Sequence, residues 1–304
     1  MKPLIALTFC LAYLIPSWSQ AAVTAGVSVS DLTNPYFVTM VRSLRDELQK
    51  TFGDDVRLLV RSSAYDHPRQ VRQLDEFVAE NVNLIFLVAS DEHKIGPTVK
   101  RIVDQGTPIF AIDVRAKGAT ATITTDNVQA GYVACNHLAE SLHGKGHVLI
   151  INGPQVSSVI ERVNGCKQAL ESFPKILVIS DTLNGTASIE GGLENMAYAL
   201  QAFSTIDGVF AINDPTALGA EQAIAQANSN ALIMSVDGSP AARQALLQQR
   251  KGWLGTATQF PDVMSHEAVK TAEEWLNNNQ ISHTEVLIPT KLMSAENAQF
   301  FREW

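Results

Sequence analysis

The strongest constraint on this chain is a regular alternation of two kinds of segment. From Thr24 onward, short apolar runs rich in β-branched residues alternate with longer segments whose apolar residues recur every three or four positions. The first kind is typical of buried strands and the second of amphipathic helices. Strands that alternate with helices form parallel sheets with helices on both faces. We therefore predict an α/β protein with strands at 24–30, 56–62, 84–90, 108–113, 147–152, 175–181, 208–213, 231–236 and 254–259.

The alternation is interrupted once, which divides the chain into two units. Four predicted strands precede the segment from Thr122 to Asn127, after which the alternation begins again. Nine strands are near the upper limit for one strongly twisted open sheet, so two sheets of about five strands are favoured. The connection is short and has no Ser/Gly linker, which is typical of a hinge.

Two helix starts are marked by a polar residue followed by proline. Pro35 follows Asn34, and Pro215 follows Asp214. Proline suits the first turn of a helix, and a short polar side chain before it caps the free N–H groups. We therefore expect Asn34 and Asp214 to be the caps of two helices.

Four of the predicted strands end at a polar residue. These residues are Asp113, Asn213, Asp237 and Gln259. The carboxyl ends of parallel strands meet at one crevice, where ligands bind outside the strand tips. None of the four is a strong nucleophile, and all are good hydrogen-bonding partners for hydroxyl groups. The sequence thus predicts a shared pocket for a ligand rich in hydroxyl groups.

Residues 1–21 have the features of a secretory signal peptide. Lys2 precedes an apolar run from Leu4 to Ile15, and Ser19-Gln20-Ala21 is a small-x-small cleavage pattern. The alternative, a transmembrane anchor, needs about 20 apolar residues, whereas this run has about a dozen before Pro16. We expect export and a mature chain that starts near Ala22.

Charge and metal-ligand spacing exclude several classes of partner. The formal net charge is −8 and there is no basic tract, so nucleic acid and anionic membrane surfaces are not expected partners. No two histidines have metal-ligand spacing, and we predict no metal and no cofactor. Cys135 and Cys166 lie on neighbouring predicted helices. In an oxidising compartment they form either a disulfide or two buried thiols, and both alternatives stay open.

Signatures of catalysis are weak. There is no Gly-x-Ser-x-Gly segment for a nucleophile elbow, and Gly144-Lys-Gly146 lacks the spacing of a phosphate loop. Asp113 and Asp237 leave glycoside hydrolysis as an alternative, because that mechanism depends on a carboxylate separation that sequence does not give. We predict that the chain is not an enzyme.

An ordered set of motifs resembles one known family. The chain is similar to the periplasmic ribose-binding proteins, the sugar-binding components of ABC importers, from Val23 to the region of Ile288. The motifs are Asn34-Pro-Tyr-Phe37, Asp126-Asn127, Glu161-Arg162-x-x-Gly165, Phe210-Ala-Ile-Asn-Asp214 with Ala217-Leu-Gly219, Val236-Asp-Gly238 and Gln259-x-Pro261-Asp262.

The resemblance implies a role for each matched residue. Tyr36 and Phe37 are expected to stack on the faces of a sugar, where C–H groups point outward. Charged and amide side chains are expected around its rim, because charge-assisted hydrogen bonds to hydroxyl groups are strong. The expected rim residues are Asn34, Asp113, Arg162, Asn213, Asp237 and Gln259.

The resemblance also implies a fold: two similar doubly wound parallel-sheet domains, joined by a three-segment hinge, with the ligand in the cleft. Crossings are expected near Thr125, Gln259 and Ile288. The first domain would comprise 22–125 plus 260–288, and the second 126–259 plus 289–304.

Three positions depart from the family pattern. Val88 stands where ribose-binding proteins have an asparagine, and Ala187 where they have a phenylalanine. Val114 separates Asp113 from Arg115, although the family places arginine directly after this aspartate. A site built for one hydroxyl rejects ligands that leave its polar groups unpaired, so these changes favour another pentose, a hexose or a polyol over ribose.

These features predict a monomeric periplasmic solute-binding protein that closes on a monosaccharide or polyol and delivers it to an ABC permease. A separate ATPase subunit would hydrolyse ATP. The alternative is a sensory role, in which the ligand-bound form docks on a chemoreceptor or histidine kinase. The effector domain of a repressor shares this architecture, but a signal peptide occupies the position of its DNA-binding helices.

Overall fold

The computed structural model describes residues 23–302, so the predicted signal peptide lies outside the described residues. The strands are β1 (Thr24–Val29), β2 (Arg57–Ser62), β3 (Leu84–Leu87), β4 (Ile109–Ile112), β5 (Ala121–Thr125), β6 (Lys145–Asn152), β7 (Lys175–Asn184), β8 (Gly208–Ala211), β9 (Leu232–Asp237), β10 (Trp253–Thr258), β11 (Glu285–Ile288) and β12 (Leu292–Ser294). The helices are α1 (Pro35–Phe52), α2 (His67–Ala79), α3 (Gly96–Asp104), α4 (Asn127–Ser141), α5 (Ser157–Glu171), α6 (Ile189–Ala202), α7 (Asp214–Gln226), α8 (Pro240–Leu247) and α9 (Pro261–Asn278).

The strands form two sheets of similar build. The first has the order β11-β5-β4-β3-β1-β2, and the second has the order β12-β10-β9-β8-β6-β7. Neighbouring strands are parallel except for the antiparallel pair of β10 and β12. We call the first sheet with α1, α2, α3 and α9 the first lobe, and the second sheet with α4 to α8 the second lobe. The predicted α/β class with two similar parallel-sheet domains is confirmed.

Three strands lie where the sequence indicated only crossings. β5, β11 and β12 each add a strand to a sheet, so the sheets have six strands in the described chain rather than about five. The segment Thr122-Ile-Thr-Thr125 is rich in β-branched residues, which favour a strand. The chain passes between the lobes after β5, after β10 and after β11.

Helix α1 illustrates how local sequence sets the elements. The Asn34 side chain accepts a hydrogen bond from the Tyr36 N–H at 3.0 Å, and Pro35 fills the first turn, as predicted. At α7 the cap is Asn213 rather than Asp214, because the Asn213 side chain accepts from the Thr216 N–H at 3.0 Å. That one-residue correction leaves the Asp214 carboxylate free to bond inside the lobe.

The second lobe is braced where α4 meets α5. A side chain at Gly131 would overlap the Arg162 carbonyl oxygen, and one at Gly165 would overlap that of Val128, so only glycine permits this approach. A disulfide joins Cys135 to Cys166 across the same contact, which settles the alternative of two thiols in this structure. None of the described helices is both long and apolar enough to span a membrane.

Candidate functional site

The carboxyl ends of the two sheets face one cavity between the lobes. It is lined by side chains of both lobes. From the first lobe come Ser30, Asn34, Tyr36, Phe37, Tyr65, Asp113 and Val114, and from the second come Pro154, Val156, Ser158, Val159, Arg162, Ala187, Ile212 and Asn213, with Gln259 at a crossing.

Seven of the eight predicted site residues line this cavity. Asp237 is the exception, since it lies directly behind the wall. One Asp237 oxygen, Oδ1, accepts a hydrogen bond from Gln259 Nε2 at 2.8 Å and lies 3.6 Å from Arg162 Nη1. The structure therefore brings all eight residues together. Asp237 contacts the cavity through Gln259 and Arg162, which it holds in place.

The start of α1 presents two aromatic rings to the cavity. Tyr36 and Phe37 are both buried, and their ring centroids are 5.3 Å apart in an edge-to-face arrangement. The Tyr36 hydroxyl donates to Asp113 Oδ1 at 3.0 Å. Burial and then the negative charge of Asp113 raise the pKa of Tyr36 well above its ordinary value, so the phenol stays protonated.

Asp113 is fixed by the strand beside it. Its backbone is left-handed, with φ of 64°, which is unusual for a residue with a side chain. Its N–H donates to the Ile123 carbonyl at 2.9 Å, and its carbonyl accepts from Thr124 Oγ1 at 2.6 Å. Burial raises the pKa of Asp113, while the charge of Arg162 and the Tyr36 hydroxyl oppose that rise.

Arg162 is held entirely by the second lobe. Its guanidinium donates from Nε to Asn127 Oδ1 and from Nη1 to the Ile212 carbonyl, each at 2.9 Å. The side chain is buried, and its charge faces Asp237. A buried guanidinium with this many partners has one orientation, so it is preorganised for a ligand oxygen.

Two carboxylates lie close together beneath the second-lobe wall. The Asp214 N–H donates to Asp237 Oδ2 at 3.3 Å. Asp214 itself accepts from Ser235 Oγ at 2.5 Å and Thr256 Oγ1 at 2.8 Å. Burial, followed by the negative charge of Asp214, raises the pKa of Asp237 to about 8. Arg162 and Gln259 oppose that rise.

Gln259 connects the two lobes through its side-chain amide. Its oxygen accepts from Thr125 Oγ1 at 2.9 Å and from the Tyr36 hydroxyl at 3.4 Å. Its nitrogen donates to Asp237. A residue at a crossing thus links a first-lobe ring to a second-lobe carboxylate.

The positions that depart from the family pattern differ in where they lie relative to the cavity. Val88 is buried and does not line the cavity, whereas Val114 and Ala187 do. Arg115 points to the rim of the cleft, where Nε donates to Glu161 of the second lobe at 2.9 Å and the guanidinium also pairs with Glu285 of its own lobe. The Arg115 N–H donates to Ser157 Oγ at 2.8 Å.

Ser30 and Tyr65 line the cavity but do not appear among the predicted site residues. Ser30 directly follows β1, and Tyr65 follows β2 by three residues. The rule that drew attention to Asp113, a polar residue directly after a strand, applies equally to Ser30 but does not reach Tyr65. Within residues 23–302 no cluster of three or more His, Cys, Asp and Glu residues is arranged to hold a metal ion.

Known proteins resemble this chain along most of its length. A family model described as a periplasmic binding protein domain matches residues 25–280. The ribose import binding protein of Bacillus subtilis is 26% identical and aligned over 91% of each chain. A xylitol-binding protein of Mycolicibacterium smegmatis is 30% identical over 70% of this chain and 61% of that protein. A solute-binding protein of Actinobacillus succinogenes solved with D-allose has a TM-score of 0.84 and 24% identity, covering 92% of this chain and all of its own.

Proposed function

The chain belongs to the periplasmic binding protein family, and we propose that it captures a monosaccharide or polyol in the periplasm and delivers it to an ABC permease. The observation that carries this proposal is the cavity whose walls come from both lobes. A ligand held there contacts both lobes, so its binding free energy favours the closed arrangement over an open one.

The chemistry of the walls supports a sugar or polyol. Aromatic rings at Tyr36 and Phe37 suit C–H faces, and buried carboxylate, guanidinium and amide groups suit hydroxyl groups. Relatives named for ribose and xylitol agree with this class of ligand. The eight predicted residues are proposed as the binding set, with Tyr36 and Phe37 as the stacking rings.

Closure is proposed to occur at the three crossings near Thr125, Gln259 and Ile288. The proposed domains are 22–125 with 260–288, and 126–259 with 289–304. Gln259 supports this placement, because its hydrogen bonds join Tyr36 to Asp237 across the cleft.

The proposed partners follow from transport. Residues 1–21 would direct export, and the mature monomer would dock on a permease whose separate ATPase subunit supplies the energy. No cofactor is required for binding or release.

A thermal-shift screen of the mature chain against pentoses, hexoses and polyols tests the proposal. A compound that binds only the folded state raises the melting temperature by mass action. We expect at least one such compound, and we expect Asp237→Ala to abolish its effect by releasing Gln259 and Arg162. Asp54→Ala, at an exposed position, is the matched control and should keep the shift. A screen without any shift would contradict the proposal.

Uptake measurements separate transport from sensing. Deletion of the gene should abolish uptake of the labelled compound identified in the screen. Unchanged uptake together with a lost chemotactic or transcriptional response would instead support the sensory role.

A further inference from the structure

The Ser30 hydroxyl in the cavity wall is buried and has no hydrogen-bond partner among the described residues. The residue as a whole is 1% exposed. Buried hydroxyls are almost always paired, because an unpaired one forfeits its hydration without compensation. A ligand in the cavity is the partner that this position implies.

Tyr65 lies beside Ser30 in a strained loop. Ala64 and Tyr65 both have left-handed backbones, with φ of 51° and 56°. Such conformations are costly for residues with side chains and persist where the surroundings impose them. The loop is held at both ends, since Ser63 N–H donates to Val29 at 2.9 Å and Asp66 caps α2.

The left-handed backbone of Ala64 and Tyr65 directs the Tyr65 side chain into the cavity. The Tyr65 N–H donates to the Ser30 carbonyl at 3.3 Å, which ties the two residues together, and the Tyr65 ring lines the same cavity. Its hydroxyl forms no hydrogen bond to another residue in the described chain. Burial, and then the negative charges of Asp113, Asp31 and Asp237, raise the pKa of Tyr65, which keeps the hydroxyl a donor.

Ser30 and Tyr65 follow different strands of the first sheet from the strand that Asp113 follows. Ser30 follows β1 and Tyr65 follows β2, whereas Asp113 follows β4, with β3 between β4 and β1. Two strand spacings amount to roughly 10 Å. The tip of β3 carries Val88, which does not line the cavity, so polar groups in this part of the wall come from the next two strands.

We infer that Ser30 and Tyr65 form a specificity-determining subsite for one hydroxyl group of the ligand. The Tyr65 phenol donates to that hydroxyl and Ser30 Oγ accepts from it, so the bound group must both accept and donate. This inference rests on the proposed function and names the part of the cavity that selects among sugars and polyols.

Titration calorimetry with four probes tests the subsite: D-ribose, D-allose, xylitol and myo-inositol. Tyr65→Phe removes only the phenol oxygen, and Ser30→Ala removes only the unpaired hydroxyl. We expect each substitution to weaken binding of the tightest probe about 3- to 10-fold and to change the ratio of affinities between probes. The melting temperature without sugar should not fall in either variant, because neither oxygen has a hydrogen-bond partner among the described residues, and removal of the buried Ser30 hydroxyl should if anything raise it. Tyr198→Phe, whose ring is 60% exposed on α6, is the matched control.

Deoxy derivatives of the tightest probe identify the hydroxyl. One derivative should bind wild type and Tyr65→Phe equally, because the partner of the phenol is already missing. Unchanged affinities and ratios in both variants would overturn the inference and leave the proposed function intact. Failure of all four probes and of the wider sugar screen to bind wild type would overturn both.

Discussion

Each lobe places a helix-capping asparagine in the cavity wall, but the two asparagines differ in how many hydrogen bonds their side chains form within the protein. Asn34 caps α1 and Asn213 caps α7, and both side chains line the cavity. Asn213 also donates from Nδ2 to the Ala187 carbonyl at 3.1 Å, whereas Asn34 Nδ2 has no hydrogen-bond partner in residues 23–302. Asn213 therefore has one N–H left for a ligand, and Asn34 has both.

The same contrast extends over the two walls. In the second lobe, Arg162 and Asn213 have internal partners, and the disulfide and glycine contacts brace the helices behind them. In the first lobe, the buried Ser30 hydroxyl has no hydrogen-bond partner in the described chain. Arg162 and Asn213 are thus held by hydrogen bonds within the second lobe, while the first lobe supplies the aromatic faces and a Ser30 hydroxyl that is left for a ligand.

Loss of Arg162 should have the largest effect on this contrast. Arg162→Met leaves two buried acceptors, Asn127 Oδ1 and the Ile212 carbonyl, without their donor, at about 1–3 kcal/mol for each. We expect a loss of stability in this range by chemical denaturation, and no sugar binding. Arg72→Met, at an exposed position, should change neither. Wild-type stability in Arg162→Met would show that the second lobe does not depend on these hydrogen bonds.

Removal of the disulfide should have the next largest effect. The bond closes a loop of sequence separation 31, for which chain entropy gives about 3–4 kcal/mol. The double variant Cys135→Ser with Cys166→Ser should unfold at lower denaturant concentration, and wild type with reductant should match it. Two free thiols in mass spectrometry of the unreduced protein would contradict the bracing of the second lobe.

The pH dependence of stability tests the buried carboxylates. The pKa of Asp237 is raised to about 8 in the folded protein, from an ordinary value of 3.8. Between these values the folded state holds more protons than the unfolded state, so the free energy of unfolding falls as pH rises. From about pH 5 to about pH 8 we expect wild type to lose about 1 kcal/mol or more through this residue. Asp237→Asn should flatten the profile, and an equal slope in both proteins would refute the assignment.

The smallest effect is expected at the rim. Arg115 joins the lobes through Glu161 and Ser157, and its side chain is 26% exposed. Such a pair contributes under about 1 kcal/mol, so Arg115→Gln should weaken sugar binding no more than about 5-fold and open the free protein slightly in X-ray scattering. Arg61→Gln is the matched control, since Arg61 is 23% exposed but pairs within one lobe, with Glu76 and Glu80. Equal effects of the two changes would exclude a role in closure.

The main strands and helices of the two lobes were predictable from the sequence, whereas the Ser30 and Tyr65 part of the cavity wall was not. Hydrophobic periodicity located strands with long buried runs, but β5, β11 and β12 are short and were recognised only as crossings. The cap of α7 was assigned one residue too late, because Asn213 and Asp214 are both good caps and only the fold decides between them.

The site residues that were missed share one cause. Ser30 is a single serine after a strand, and Tyr65 reaches the cavity only because two successive residues adopt left-handed backbones. Neither propensity nor periodicity indicates that conformation. The resemblance to periplasmic ribose-binding proteins is confirmed, as is the prediction of a binding protein rather than an enzyme.

The most direct test of the central claim is calorimetric titration of wild type, Asn34→Ser and Asn213→Ser with the sugar or polyol found in the screen. Serine keeps a helix cap in both lobes and removes the amide donor, so folding should persist. We predict one ligand per wild-type chain and at least about 5-fold weaker binding in each variant, because both lobes grip the ligand. Binding that is lost in only one variant, or absent in wild type, would contradict a site shared between the lobes.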